Sequence, residues 1–309
     1  MRTAVEVRTR SGDAVLLARL RALDGCGSVH SVFRGVVNLL LPDGELIALA
    51  ARGRENAPRT LVVEIAHWGH SGVAAGRPVE FRAGGIALPD GAGGLWVDAR
   101  EAEEWHPIVP SLAAFSPAEL GTAARALDRL TRTYGQSGGM LGAAAAAAPM
   151  EIAVCAALDR GRAALVKAVR TSDTAGIRAA ILALHGLGPG LTPAGDDFLT
   201  GIALLSALDG SGLDGYARTL RDVLATHSGR TTLLSTTTLH EALSGRVRAA
   251  LVDVLNVLAA GRGQSERHLL DTVQNPVRRA LAHGHTSGTD TLSGLATGLH
   301  LERELRGSL

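Results

Sequence analysis

The segment at residues 186–201, GLGPGLTPAGDDFLTG, constrains this chain more than any other stretch. It is a glycine-rich turn carrying two adjacent carboxylates, and it runs into an apolar helix. A helix start exposes unpaired backbone N–H groups and the positive end of the helix dipole. A glycine-rich approach lets a ligand come close to that backbone. The segment therefore reads as a site for a small anion or a carboxylate-bearing substrate. A local reading competes with it. Thr192 would cap the helix, Pro193 would stand first in it, and Asp196 and Asp197 would favour the first turn.

A second copy weighs against the local reading. Residues 284–296 read GHTSGTDTLSGLA. Laid over the first copy, Gly195 meets Gly288, Asp197 meets Asp290, Leu199 meets Leu292, Gly201 meets Gly294 and Ala203 meets Ala296. A glycine inside a helix costs on the order of 1 kcal/mol relative to alanine. Two of them at matching places predict two helices packed backbone against backbone. The pattern predicts a pseudo-symmetric pair of helix N-termini converging on one site.

Composition narrows the function classes. The net charge is +1 and aromatic residues make up 3% of the chain, so neither a basic face nor a stacking platform for bases is evident. Nucleic acid is not an expected partner. Cys26 and Cys155 are far apart and form no paired motif, which fits reduced thiols in a cytoplasmic protein. The N-terminal stretch mixes Glu6, Arg8, Arg10 and Asp13 with its apolar residues and does not read as a signal peptide. No run is long enough to span a membrane.

The predicted fold class is α+β: a β-rich N-terminal domain over 1–112, a small barrel or sandwich, then a mainly helical domain over 113–309. Strands are expected at 36–41 and 46–49 around the turn Pro42-Asp43-Gly44, at 61–65, and as short runs at 79–81, 85–88 and 95–97. Ser116-Pro117-Ala118-Glu119 is a helix start with a serine cap and a first-turn glutamate. Helices are expected at 118–134, 152–169, 174–185, 198–208, 215–225, 233–243, 246–259, 266–282 and 290–305. Residues 135–142 read as a flexible joint.

The third notable segment is 229–240, GRTTLLSTTTLH. Hydroxyl side chains compete for backbone partners and are poor inside helices, so this start either caps itself or bonds a ligand. Arg230, Thr231, Thr232 and Ser235 are the candidates, with Arg230 able to fork onto a carboxylate or phosphate. Asp196, Asp197, Asp290 and His285 are able to ligate Mg²⁺, but no metal motif is present and helix ends hold an anion without one. The expectation is no metal and no cofactor.

The motif Gly188-x-Gly190-Leu191-Thr192-Pro193-x-Gly195-Asp196-Asp197-x-Leu199-x-Gly201 resembles the oxamate carbamoyltransferase helical-subunit family, formerly a domain of unknown function. Thr231-Thr232-x-x-Ser235 and Gly284-His285-x-Ser287-Gly288-x-Asp290-x-Leu292-x-Gly294 support it, as do Asn38 in a strand and Pro58 before the next. The resemblance covers most of residues 30–300. It implies an enzyme of nitrogen metabolism, in the anaerobic allantoin route, acting on a carbamoyl group or small carboxylate. The substrate would be a small carboxylate, an amino acid or a carbamoyl or acyl phosphate. Partners would be other carbamoyltransferase subunits or further copies of this chain. Asp196, Asp197, His285 and Asp290 are the catalytic candidates. Gly188, Gly190, Thr192, Gly195, Arg230, Thr231, Thr232, Ser235, Thr286, Ser287, Gly288 and Asn38 are the substrate-binding ones. The alternatives are a metal-dependent hydrolase with ADP-ribosylglycohydrolase-like chemistry and a non-catalytic ligand-binding subunit.

Overall fold

Val5-Glu6-Val7-Arg8-Thr9 alternates in the period of a strand, and Val7 and Thr9 turn inward. The computed structural model describes residues 4–89 and 93–307. Its first strand, β1 (Val5–Asp13), ends where the Asp13 carboxylate accepts the Val15 N–H and starts α1 (Ala14–Arg21). Strands follow as β2 (Gly25–Val32), β3 (Val36–Leu40), β4 (Leu46–Ala50), β5 (Thr60–Val63), β6 (Pro78–Arg82), β7 (Gly85–Leu88), β8 (Leu95–Asp98) and β9 (Glu103–Trp105). The sheet runs β5-β4-β3-β2-β6-β7-β8-β1-β9, and β1 also pairs with β5. That extra pairing closes eight strands into a barrel, with β9 running alongside β1. Leu39, Leu49, Leu61, Phe81, Ile86 and Val97 fill the interior. The expected barrel or sandwich is therefore a barrel. The sequence reading missed β1, α1, most of β2 and β9: outward charges mask the inward face of β1, and β2 is made largely of small and polar residues.

The remaining elements are helical. They are α2 (Pro117–Tyr134), α3 (Pro149–Arg170), α4 (Thr174–Leu184), α5 (Ala194–Ser206), α6 (Asp214–Thr226), α7 (Leu233–Ala242), α8 (Ala249–Ala260), α9 (Glu266–Leu281) and α10 (Ser287–Gly307), with one 3-10 turn at Ser228–Arg230. The capping box at Ser116 and Glu119 forms as expected. Helix α5 begins four residues earlier than its apolar run suggested, so Asp196 and Asp197 lie inside its first turn. Pro193 occupies the N-cap position without a side-chain cap bond, which sets aside the local capping role for Thr192. The chain divides into two compact units, Met1–Pro107 and Ile108–Leu309, each with its own apolar cluster.

The helical unit is built around α5 and α10. Every residue of α5 is buried. A Cβ placed on Gly201 would stand 2.2 Å from the Thr291 carbonyl oxygen, and one on Gly294 would stand 2.0 Å from the Phe198 carbonyl oxygen. The two helices therefore touch backbone to backbone at these glycines, as the repeated motif predicts. Position 201 meets 294, and farther along Leu205 meets Gly298. The helices run parallel, so their N-termini share one end.

Candidate functional site

Both copies of the motif start their helix in the same way. A Cβ on Gly195 would stand 2.0 Å from the Leu184 carbonyl oxygen at the end of α4. One on Gly288 would stand 2.2 Å from the Ala280 carbonyl oxygen near the end of α9. Only glycine allows each helix to begin this close to the end of the one before it. The repeat is thus two helix–turn–helix segments, α4–α5 and α9–α10, whose second helices pack side by side. Across their shared end the Thr192 and Ser287 hydroxyls lie 2.8 Å apart. Gly190 is exposed, Gly188, Thr192, Thr286 and Ser287 are half-buried, and Asp197 and Asp290 lie buried beneath. The arrangement is open at the turns and closed at the carboxylates.

The three aspartates differ in how they are satisfied. One oxygen of Asp196 accepts the Gly186 N–H at 3.0 Å and lies 2.8 Å from Nδ1 of buried His185. Its other oxygen accepts the Thr231 hydroxyl. Asp196 therefore ties the α4–α5 turn to the approach of α7. Asp290 accepts the Met140 N–H at 2.7 Å through one oxygen, while its Oδ2 is buried without a partner. Asp197 likewise keeps a buried, unpartnered Oδ2. A buried polar atom without a partner is costly, and such atoms gather where a ligand completes them.

Burial pushes the Asp197 carboxyl well above the usual carboxylate range, and the charge of Asp290 adds to the shift. The Ser287 and Thr192 hydroxyls and the Arg248 guanidinium pull the other way. Burial raises Asp290 to about 6 against the Met140 N–H and the Thr286 hydroxyl, which favour its charged form. Two neighbouring carboxyls with values pushed up to different extents make an acid and a base. Asp290, at about 6, is mostly ionised near neutral pH and is an acceptor, while burial favours the protonated, donor form of Asp197.

The other candidates fall into three groups. Thr231 and Thr232 reach the same turn: Thr231 bonds Asp196, and Thr232 caps α7 through the Ser235 N–H and donates to the Leu191 carbonyl at 2.7 Å. Ser235 Oγ is buried without a partner. Arg230 is exposed and spends its guanidinium on the Leu182 carbonyl, and His285 is exposed on the α9–α10 turn. Asn38 lies in the barrel unit on β3, where it donates to the Ser31 hydroxyl at 2.9 Å.

Three features of the site escaped the sequence reading. His185 orients Asp196, and Arg248, which also bonds His283, places a positive charge near Asp197. Residues 135–142, expected as a joint, fold onto α10 instead. The Gln136 N–H bonds Thr289 at 3.0 Å, and a Cβ on Gly139 would stand 2.3 Å from Asp290 Oδ1. Gly135 and Gly139, which suggested flexibility, serve close approach. Among the described residues, no cluster of three or more His, Cys, Asp or Glu side chains is placed to hold a metal ion.

The molecule so far is a closed β-barrel joined to a helical unit whose paired helix starts enclose two buried carboxyls. Residues 184–299 match the family model described as oxamate carbamoyltransferase subunit AllH, and residues 8–104 match the AllH family N-terminal domain. The chain belongs to this family. The first match contains both copies of the glycine motif and the segment between them. The family description associates the chain with a carbamoyltransferase. No solved structure matches the chain. Among the described residues, no helix is long and apolar enough to cross a membrane.

Proposed function

We propose that the α5 and α10 N-termini bind the small carboxylate and carbamoyl group of a carbamoyl transfer between oxamate and phosphate, and that Asp197 and Asp290 handle its proton. The observation that carries this reading is the pair of unpartnered oxygens, Asp197 Oδ2 and Asp290 Oδ2, buried where the two helices begin. First-turn N–H groups and helix dipoles favour the substrate carboxylate and the oxyanion that forms at the carbamoyl carbon. In the direction that makes carbamoyl phosphate, a phosphate oxygen attacks that carbon and the bond to the oxamate nitrogen breaks. The departing nitrogen takes the Asp197 proton. In the reverse direction Asp197 recovers it. Buried Asp197, whose carboxyl is pushed well above the usual carboxylate range, fits this role better than exposed His285. The exchange requires the other subunits of a carbamoyltransferase as partners.

The test combines Asp197→Asn with the assembled partner subunits. Asparagine keeps the shape and removes the proton. We expect carbamoyl phosphate formation to fall by about 100-fold or more, in the range of a lost general acid, while oxamate still raises the melting temperature of the variant. Full turnover by Asp197→Asn would remove this residue from the chemistry. Oxamate binding without turnover in any assembly would make the chain a ligand-binding subunit.

A further inference from the structure

A second polar site lies in the barrel unit, apart from the glycine motifs. Strand pairing builds it. In the antiparallel β3–β4 pair Val36 faces Ala50, so the start of β3 lies beside the end of β4. In the parallel β4–β5 pair Ala50 faces Val62, so the ends of β4 and β5 also lie together. Three segments thus emerge at one place: Arg34-Gly35, Ala51-Arg52-Gly53-Arg54 and Ala66-His67. Backbone bonds lock them there, from the Ala51 N–H to the Gly35 carbonyl, the Arg52 N–H to the Ile65 carbonyl, and the Trp68 N–H to the Arg34 carbonyl. They enclose a pocket of about 250 Å³ lined by Arg34, Arg52, Arg54 and His67 over Gly35 and Gly53.

The charges of this pocket are not neutralised from within. Arg52 stands 3.9 Å from Glu64, and Arg34 and Arg54 make no ion pair among the described residues. The pocket lining itself carries three guanidinium groups and no carboxylate. Arg54 lies flat on Gly35, where a Cβ would stand 2.6 Å from one guanidinium nitrogen. Gly53, at φ +83°, makes the turn between Arg52 and Arg54, both of which line the pocket. Convergent arginines are the arrangement that recognises phosphoryl oxygens, through paired N–H donors and a fixed positive charge.

We propose that this barrel-end pocket binds a dianionic phosphoryl group, either inorganic phosphate or the phosphate of a small monoester. The volume accepts a phosphate with a short organic substituent. The site is separate in sequence and in unit from the α5–α10 carboxyls, so it stands or falls independently of the carbamoyl-transfer reading.

Calorimetric titration of the full-length chain with inorganic phosphate, and in a second arm with glycerol phosphate, tests the proposal. Saturable binding of one or both is expected, weakening as salt rises. The Arg34→Ala, Arg54→Ala double variant should bind at least about tenfold more weakly, the scale of one lost charge-assisted bond. Gly35→Ala should also weaken binding, because its methyl group displaces Arg54. Arg129→Ala, on the exposed face of α2, should bind as the parent does. Stronger binding of glycerol phosphate identifies a monoester as the occupant, and equal or weaker binding identifies free phosphate. Absence of saturable binding by both probes overturns the proposal. So does unchanged affinity in the double variant when its circular dichroism and melting temperature match the parent.

Discussion

Asp290 costs the fold stability whenever it is ionised. Its folded value of about 6 lies above the ordinary carboxyl value of 3.8, so the folded chain holds this proton more tightly than the unfolded one. The penalty is absent below about pH 4, grows as pH rises toward 6, and reaches about 3 kcal/mol above that. Asp197, raised by burial, acts with the same sign. Asp290→Asn keeps an acceptor for the Met140 N–H and removes the titration. Its melting temperature should exceed the parent's at about pH 8, and the gap should close toward about pH 4. A gap that does not vary with pH would mean that Asp290 is not the titrating group. Asp196, by contrast, has both of its oxygens bonded. Asp196→Ala strands the Gly186 N–H and the Thr231 hydroxyl and should lower stability by about 3 kcal/mol, measured by urea unfolding.

At the scale of elements, the α5–α10 contact depends on the absence of two side chains. A methyl group on Gly201 has no free volume, since the nearest obstacle is the Thr291 carbonyl, part of a rigid helix backbone. Gly201→Ala should therefore cost at least about 3 kcal/mol, beyond ordinary overpacking. Gly215, in the first turn of α6, has nothing within 4 Å of its would-be Cβ. Gly215→Ala should instead gain about 0.5–1 kcal/mol by restricting the unfolded chain. Denaturant unfolding of the two variants compares them directly. Equal effects would refute the close-packed reading of the repeat.

Across the whole molecule, the barrel and the helical unit each bury an apolar cluster of their own. Damage at Gly201 should stay within the helical unit. Hydrogen exchange of Gly201→Ala should quicken at the α5 and α10 amides and stay unchanged in β3, β4 and β5. Faster exchange in those strands would show that the two cores share their stability. The phosphoryl pocket at the barrel end and the buried carboxyls at the helix starts are thus accessible to separate mutation.

Much of this molecule was legible in its sequence, because the carrying signals are local. Apolar periodicity and caps marked α2 to α10 to within a few residues, and turn residues with short apolar runs marked β3 to β8. The duplicated glycine motif revealed the parallel α5–α10 contact, since only close backbone approach justifies a glycine at the same helical place twice. Tertiary structure alone decided the remainder, because those features depend on which distant segments meet. Barrel closure rests on β1 pairing with β5, a contact no local pattern encodes. Residues 135–142 become a clamp only when Asp290 is there to receive the Met140 N–H. The division of labour among the aspartates is of the same kind. Neighbours in sequence, Asp196 and Asp197 look alike there, yet one meets His185 and Thr231 while the other is buried with an oxygen to spare.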